Sequence, residues 1–560
     1  MNRRLLVSSL ALSLALSGCA TPARGPVDIN LVALNDFHGN LEPSKYTYKN
    51  PDGSQQTVRA GGVEAVSGAL QSWRRDDKDL LLVAAGDLVG ASPALSSMWA
   101  DEPTIEAMNL LGLSASSLGN HEFDAGRKEL LRQQNGGCDS PRPAKACQLT
   151  PGFGGARFSY LAANVTDSTT GQHLVPGWRI ADVKGVKVGL AGAVLQGTAS
   201  VAVSTSIAGL SFGDEAEAIN KAVAQMRAQG AQVFVALIHE GGSSTDSPLA
   251  PGCTHLKGAI VDIVKKLDPA IRLVVTGHSH TGYLCQVDGR TVTQADSAGH
   301  LLTRIRMTVD PASGAVQNVD ARNLVIKADE YAPDPRVSAL VAHVKERSLE
   351  QLARPVARIG APVVLRKHGE AGESALGDLI ADAALAATQD KGTQIGFMNS
   401  GGIRKDLEAS ADKVVSFGQA QAVLPFGNTL VVMDMTGAQL RTLLEQQWDR
   451  PAASEPSVLQ VSNGFSYRWD AGKPKGSRIV PGSVKLNGVP LEDNKTYRVV
   501  ANNFLAEGGD EFPAFAKAVN KNDTQMRDLD ALMAYLRKHE GAVGAPAASL
   551  APSVRIEKVH

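Results

Sequence analysis

The chain has almost no net charge, few cysteines and a single concentrated apolar run, and each scarcity excludes something. A formal net charge of −1, from 56 basic and 57 acidic side chains, provides no basic field for a nucleic-acid polymer or an anionic membrane surface. A small anionic substrate would have to be held by local charges, meaning metal ions or a few arginines. There are 5 cysteines, and no pair has the short spacing of a zinc-finger site, so a thiolate metal centre is not expected. Past Cys19 no apolar run is long enough to span a bilayer. No internal repeat or low-complexity tract interrupts the chain. At 560 residues it exceeds one hydrophobic core, so at least two domains are expected, and 43% hydrophobic with 20% charged residues is an ordinary globular balance.

The apolar run is N-terminal. Arg3 and Arg4 precede Leu5 to Leu16, which is too short for a comfortable membrane span and reads as a secretory signal over residues 1–18. It ends in Leu16-Ser17-Gly18-Cys19, which resembles the bacterial lipobox. That resemblance makes Cys19 the lipidated first residue of the mature protein, on a tether of residues 19–27. Ala20 stands where an aspartate would favour inner-membrane retention, so the outer membrane of a Gram-negative envelope is the expected anchor. The other cysteines, Cys138, Cys147, Cys253 and Cys285, suggest two disulfides in an exported protein. Close pairing, Cys138 with Cys147 and Cys253 with Cys285, is the simplest scheme; the sequence alone leaves it open.

In the first half, apolar runs end repeatedly at potential ligands. Ile29 to Leu34 stops at Asn35-Asp36, Leu80 to Ala85 at Gly86-Asp87, and Ser116-Ser117-Leu118 at Gly119-Asn120-His121. Val233 to Ile238 stops at His239, and Ile271 to Val275 just before Gly277-His278-Ser279-His280. Helices are expected at Val63–Trp73, Asp214–Gln229 and Ile260–Leu267, the second amphipathic. In α/β folds ligands gather beyond the ends of strands, where loops can aim side chains at one point. Singly, Asp36-Phe37-His38 or Gly86-Asp87 is explained by a strand-end turn, and His239 by a satisfied core imidazole. Jointly they supply oxygen and nitrogen donors for two divalent cations, plus a spare pair, His121 and Asp124. That is the equipment of metal-assisted phosphoester hydrolysis. Mixed carboxylate, amide and imidazole donors suit zinc, manganese or cobalt. Asp124 also reads as a helix N-cap, and Glu122 as structural.

The order Asp-x-His, Gly-Asp, Gly-Asn-His-Glu, His, Gly-His-x-His resembles the calcineurin-like metallophosphoesterase superfamily over about residues 28–310. The resemblance implies that Asp36, His38 and His280 hold one metal and Asn120, His239 and His278 the other, with Asp87 bridging. It implies that His121 stabilises the transition state or protonates the leaving oxygen and that Asp124 orients it. In bacterial periplasmic relatives the position of His280 is often glutamine.

From about residue 355 onward, Asn399-Ser400-Gly401-Gly402-Ile403-Arg404, Pro425-Phe426-Gly427-Asn428 and Asn503-Phe504 with Gly508-Gly509-Asp510 resemble the substrate-binding domain of the 5′-nucleotidase family. By that resemblance Phe426 and Phe504 sandwich the base and Asp510 takes the ribose hydroxyls. Asn399, Arg404 and Asn428 contact the nucleotide. Arg366 stands near where the family carries phosphate-binding arginines, but Glu370 sits where a second could be, leaving room for nucleoside di- and triphosphates, nucleotide sugars or dinucleotides.

The expected architecture is α/β: a four-layer α/β/β/α metallophosphoesterase sandwich (28–330), a linker helix (331–354) that holds a hinge, and an α+β substrate-binding domain (355–560). The expected activity is hydrolysis of nucleoside 5′-monophosphates to nucleoside and phosphate for salvage. The competing readings are a 2′,3′-cyclic-nucleotide 2′-phosphodiesterase/3′-nucleotidase and a non-catalytic nucleotide-binding surface lipoprotein. The first is disfavoured because its members usually show Asn-Tyr where this chain has Asp124-Ala125.

Overall fold

The computed structural model describes residues 25–253, 255–449, 457–544 and 554–560. The expected signal segment, Cys19 and its lipid anchor lie outside the described residues. Among those described, no helix is long and apolar enough to cross a membrane.

The apolar runs of the first half form two six-stranded sheets. One has the order Val316–Val325, Leu301–Val309, Val27–Leu34, Leu81–Ala85, Leu113–Ser117, Ser159–Leu161. The other runs Gly282–Val287, Arg290–Ala295, Ile271–Thr276, Val233–His239, Val186–Val194, Trp178–Val183. Alternate side chains of each strand fill the space between the sheets: Leu31 and Ala33, Val83 and Ala85, Val188 and Leu190, Val235 and Leu237. The opposite faces are covered by helices. Val63–Asp76 and Glu102–Leu111 close one side, and Glu215–Ala228 with Ala259–Lys265 the other. Strands buried on both faces must be apolar throughout, which is why they read as continuous runs rather than alternating ones. The result is the four-layer sandwich expected.

Parallel register brings the strand ends level. Leu34 pairs with Ala84, and Ala85 with Ser117; in the facing sheet Ile238 pairs with Thr276 and His239 with Val194. The loops that follow therefore open onto one rim.

The helix Pro335–Ala353 begins with Pro335 in its first turn and Asp334 as N-cap, accepting from Arg336 N. It does not stand free between the halves. Val337, Val341 and Val344 sit in the first half's core, and Trp99 donates its indole N–H to Ser348 Oγ at 2.8 Å. Beyond it the chain forms a five-stranded sheet, Gln460–Val461, Ile395–Met398, Thr496–Asn502, Thr429–Thr436, Val519–Arg527, and a smaller four-stranded one. The helices Ala375–Ala387 and Asp528–Lys538 pack together beside the larger sheet. Disulfides join Cys138 to Cys147 and Cys253 to Cys285.

Candidate metal centre and substrate cleft

The strand-end side chains converge as two groups that share one oxygen. In the first, His280 Nε2 lies 3.4 Å from Asp36 Oδ1 and 3.0 Å from His38 Nε2. In the second, Asn120 Oδ1 lies 3.1 Å from His239 Nε2 and 3.0 Å from His278 Nδ1. Asp87 Oδ2 stands between them, 3.6 Å from His38 Nε2 and 3.1 Å from His239 Nε2. Donor atoms of Asp36, His38, Asp87 and His280 all fall within 4.8 Å of one another.

The local backbone is strained to achieve this. Asp36, His38, Asp87, His278 and His280 all have left-handed φ, between 46° and 73°, a region that costs a non-glycine residue roughly 1–2 kcal/mol. Strain of this kind persists only where the surroundings over-determine it. Here the loops are laced together: Asp36 N donates to Gly86 O and His38 N to Asp87 O. Glu122, buried, accepts from the backbone N–H groups of Asp87, Leu88 and Gly119 at 2.9, 2.8 and 2.6 Å. Gly119 is required by closeness, since a Cβ there would meet Asp87 Oδ1 at 2.1 Å.

The donor set fits divalent cations. His38 Nδ1 faces Gly90 O and His239 Nδ1 faces Ala85 O, each at 2.8 Å. A carbonyl only accepts, so both Nδ1 atoms carry protons. Burial keeps His38 neutral, with its Nε2 lone pair turned toward Asp87, an acceptor facing an acceptor that a cation resolves. Burial would also lower His239, but Asp87 outweighs it and raises its pKa to about 10, so without an ion a proton sits where a cation would bind. Burial alone would raise the Asp87 carboxyl, but His239 and His121 hold it well below the usual carboxylate range.

His121 belongs to neither group. Its N–H donates to Asp87 Oδ1 at 2.9 Å, while its ring Nδ1 lies 3.0 Å from both Asp124 oxygens. Burial lowers the imidazole, but Asp124 and then Asp87 outweigh it and raise its pKa. The helix Gly126–Asn135 has Ala125 as N-cap and no side-chain cap. The Asp124 carboxylate is instead engaged with His121 and Ala91 N.

The second half meets this rim. Phe426 stacks over His121 with ring centroids 5.5 Å apart, and the Arg404 guanidinium lies 5.8 Å from the Phe426 centroid. Burial, and then the neighbouring Arg366, lower the Arg404 guanidinium below its usual value, against the pull of Asp87, Asp124 and Asp36. Arg366 donates Nη1 to the carbonyls of Ile403 and Arg404 at 2.9 Å, and so braces the turn that carries Arg404. Asn399 donates to Asp510 Oδ2 at 2.7 Å and accepts from Asn502 at 3.0 Å. Phe504 is half-buried rather than a core residue. Its ring lies on Gly509, where a Cβ would come within 2.5 Å of it. The Asn428 side chain bonds Asp528. A cavity of about 430 Å³ between the halves is lined by Asp124, Arg142, Lys145, Ser206 and Phe426 among others.

Several contributors had no signal in the sequence. The carbonyls of Gly90 and Ala85 are backbone groups. Asn35, which donates to Asp36 Oδ2 at 2.6 Å, looked like the end of a strand.

Comparison with known proteins adds the following. A family profile described as 5′-nucleotidase, C-terminal domain, matches residues 355–517. A cell wall protein of Listeria monocytogenes is 30% identical over 564 residues, covering 96% of this chain and 71% of that protein. An endonuclease of Bacillus subtilis, YhcR, is 28% identical over 520 residues, but this chain spans only 40% of its length. Among solved structures, the 5′-nucleotidase precursor from Thermus thermophilus is 27% identical with a TM-score of 0.74, covering 95% of this chain and 99% of that one.

Proposed function

This chain belongs to the 5′-nucleotidase family, with a metallophosphoesterase N-terminal domain, and on that premise we propose that it hydrolyses nucleoside 5′-monophosphates to nucleoside and phosphate. The observation that carries the reading is Asp87 Oδ2, one carboxylate oxygen within 3.6 Å of an imidazole from each donor group. Asp36, His38 and His280 would hold one divalent cation and Asn120, His239 and His278 the other, with Asp87 between them. Zinc, manganese or cobalt would suit the donors. Two such ions would supply a nucleophile at neutral pH and positive charge for the phosphate oxygens.

The protein's own groups do the rest. His121, its ring oriented by Asp124, donates a proton to the leaving ester oxygen, and the raised pKa favours its protonated form. Arg404, facing the same cleft, pairs with phosphate. Phe426 and Phe504 offer faces for a base; stacking is worth about 1–3 kcal/mol per base and tolerates any of them, so base selectivity should be loose. Asp510, which accepts from Asn399, would take the ribose hydroxyls, and Asn428 would contact the nucleotide. In this reading residues 28–330 make the metal-binding domain and 355–560 the substrate-binding domain, joined by 331–354. The likeness to a cell wall protein supports a site in the cell envelope, where an acyl anchor at Cys19 would hold the chain on the outer membrane.

A diesterase reading is favoured by relatives named as an endonuclease and as a trifunctional nucleotide phosphoesterase. One experiment separates the two. Phosphate release is measured from 5′-AMP, 3′-AMP and 2′,3′-cyclic AMP, with and without chelator, on the native chain and on His121→Ala. We expect 5′-AMP to be preferred and chelator to abolish turnover. His121→Ala should lower kcat by about 10²–10⁴-fold with metal content unchanged. Preference for 3′-AMP, or full activity in His121→Ala, would overturn the assignment.

A further inference from the structure

The cleft is closed across its mouth by contacts of two kinds. Near the covalent link, Phe417 N donates to Arg354 O at 2.8 Å, and Gln421, a turn further on, donates to Ser97 Oγ at 2.7 Å in a buried contact. The other contact is exposed. Glu507 Oε2 accepts from both the backbone N–H and the hydroxyl of Ser204, at 2.9 and 2.5 Å. Beside it, Asp510 N donates to Ser200 O at 3.0 Å. The segment that makes these bonds also carries Phe504 and Asp510. Its own half anchors it from behind, where Lys521 donates to the carbonyls of Ala506 and Ala516 at 2.7 and 2.9 Å.

The donor groups and His121 belong to the first half, and Phe426 from the second stacks on His121 with ring centroids 5.5 Å apart. A substrate group enters between those two rings only when the halves part. We propose that Glu507 is a positioning residue: a latch that fastens the Phe504–Asp510 segment to Ser204 when the cleft is shut and lets go to admit substrate and release product. Both hydrogen bonds go to an ionised carboxylate and are directional and charge-assisted. Because the pair is exposed, it is weak and screened by salt, which suits a contact that must break at every turnover. The buried Gln421–Ser97 bond, beside the covalent link, has no need to break.

The latch stands on the geometry alone; its kinetic consequence rests on the nucleotidase reading above. The test uses the full chain as Glu507→Ala, Glu507→Gln, Ser204→Ala and the Glu507→Ala/Ser204→Ala double variant. Small-angle scattering should show a larger radius of gyration for Glu507→Ala than for the native chain, with Glu507→Gln between. The native value should move toward that of Glu507→Ala as salt is raised. KM for 5′-AMP should rise about two- to fivefold in Glu507→Ala, with kcat not lowered. Ser204→Ala should add nothing on the Glu507→Ala background. Unchanged scattering in Glu507→Ala, or additive effects of the two substitutions, would sink the latch. If the native chain released no phosphate from any nucleotide, the nucleotidase reading would fail, while scattering would still decide the latch.

Discussion

Asp87 shows how a single residue is made to serve two neighbours. One of its oxygens faces an imidazole from each donor group, and the other is occupied by the N–H of His121. That division of labour requires a fixed carboxylate plane, and the residue that fixes it is Glu122. Its two oxygens gather backbone N–H groups from both the Asp87 and the Gly119 loops. Glutamine in its place would present one N–H₂ edge to donors already pointing inward. Leaving buried donors unsatisfied costs about 1–3 kcal/mol. We expect Glu122→Gln to lower the thermal midpoint and weaken metal retention without touching substrate, read by calorimetry and by metal analysis after dialysis. Retained metal at native levels would show that the loops hold their shape without it.

The stapled loop is an element organised by charge as well as by sulfur. Beneath Cys138–Cys147, Arg132 bonds Glu102 and Glu129, and Arg142 bonds Glu129 and Asp101. Cys147 N also donates to Glu102. Burial would raise Glu129, but Arg132, Arg142 and Ser140 hold it down at about 2. A carboxyl depressed in the folded state contributes stability above its unfolded value and loses it as the pH falls through the folded one. The contribution should thus be complete above roughly pH 4.5 and disappear toward pH 2, amounting to on the order of 3 kcal/mol. Melting curves from pH 6 to pH 2.5 should show a steeper acid loss for the native chain than for Glu129→Gln. Parallel curves would mean that the network is not the source. The Pro335–Ala353 helix shows the opposite emphasis: Val337, Val341 and Val344 bind it into the first half.

At the scale of the whole molecule, the donor cluster stitches two sheets together, since Asp36, Asp87 and Asn120 follow strands of one, while His239 ends a strand of the other and His278 follows one. A cation bound there stabilises the folded chain by mass action, by about 2.7 kcal/mol at a hundredfold excess over its dissociation constant. Manganese, zinc or cobalt should therefore raise the thermal midpoint of metal-stripped protein, and chelator should reverse it in step with activity. A midpoint indifferent to metal would separate the cluster from any ion-binding role.

Much of this was legible in the residues. Apolar runs that stop at Asp, Asn and His announced strands ending in ligands, because a strand buried on both faces has nowhere to place a polar group except past its end. The glycine motifs of the second half likewise marked where backbone must come close, as Gly509 does beneath Phe504. What no reading of the chain could supply was the relation between distant loops. The shared oxygen of Asp87, the grip of Glu122, and the meeting of Glu507 with Ser204 all depend on register and packing between segments tens to hundreds of residues apart. The side-chain types are local and so are written in the sequence. Which of their atoms face one another is decided by how whole sheets and halves are stacked.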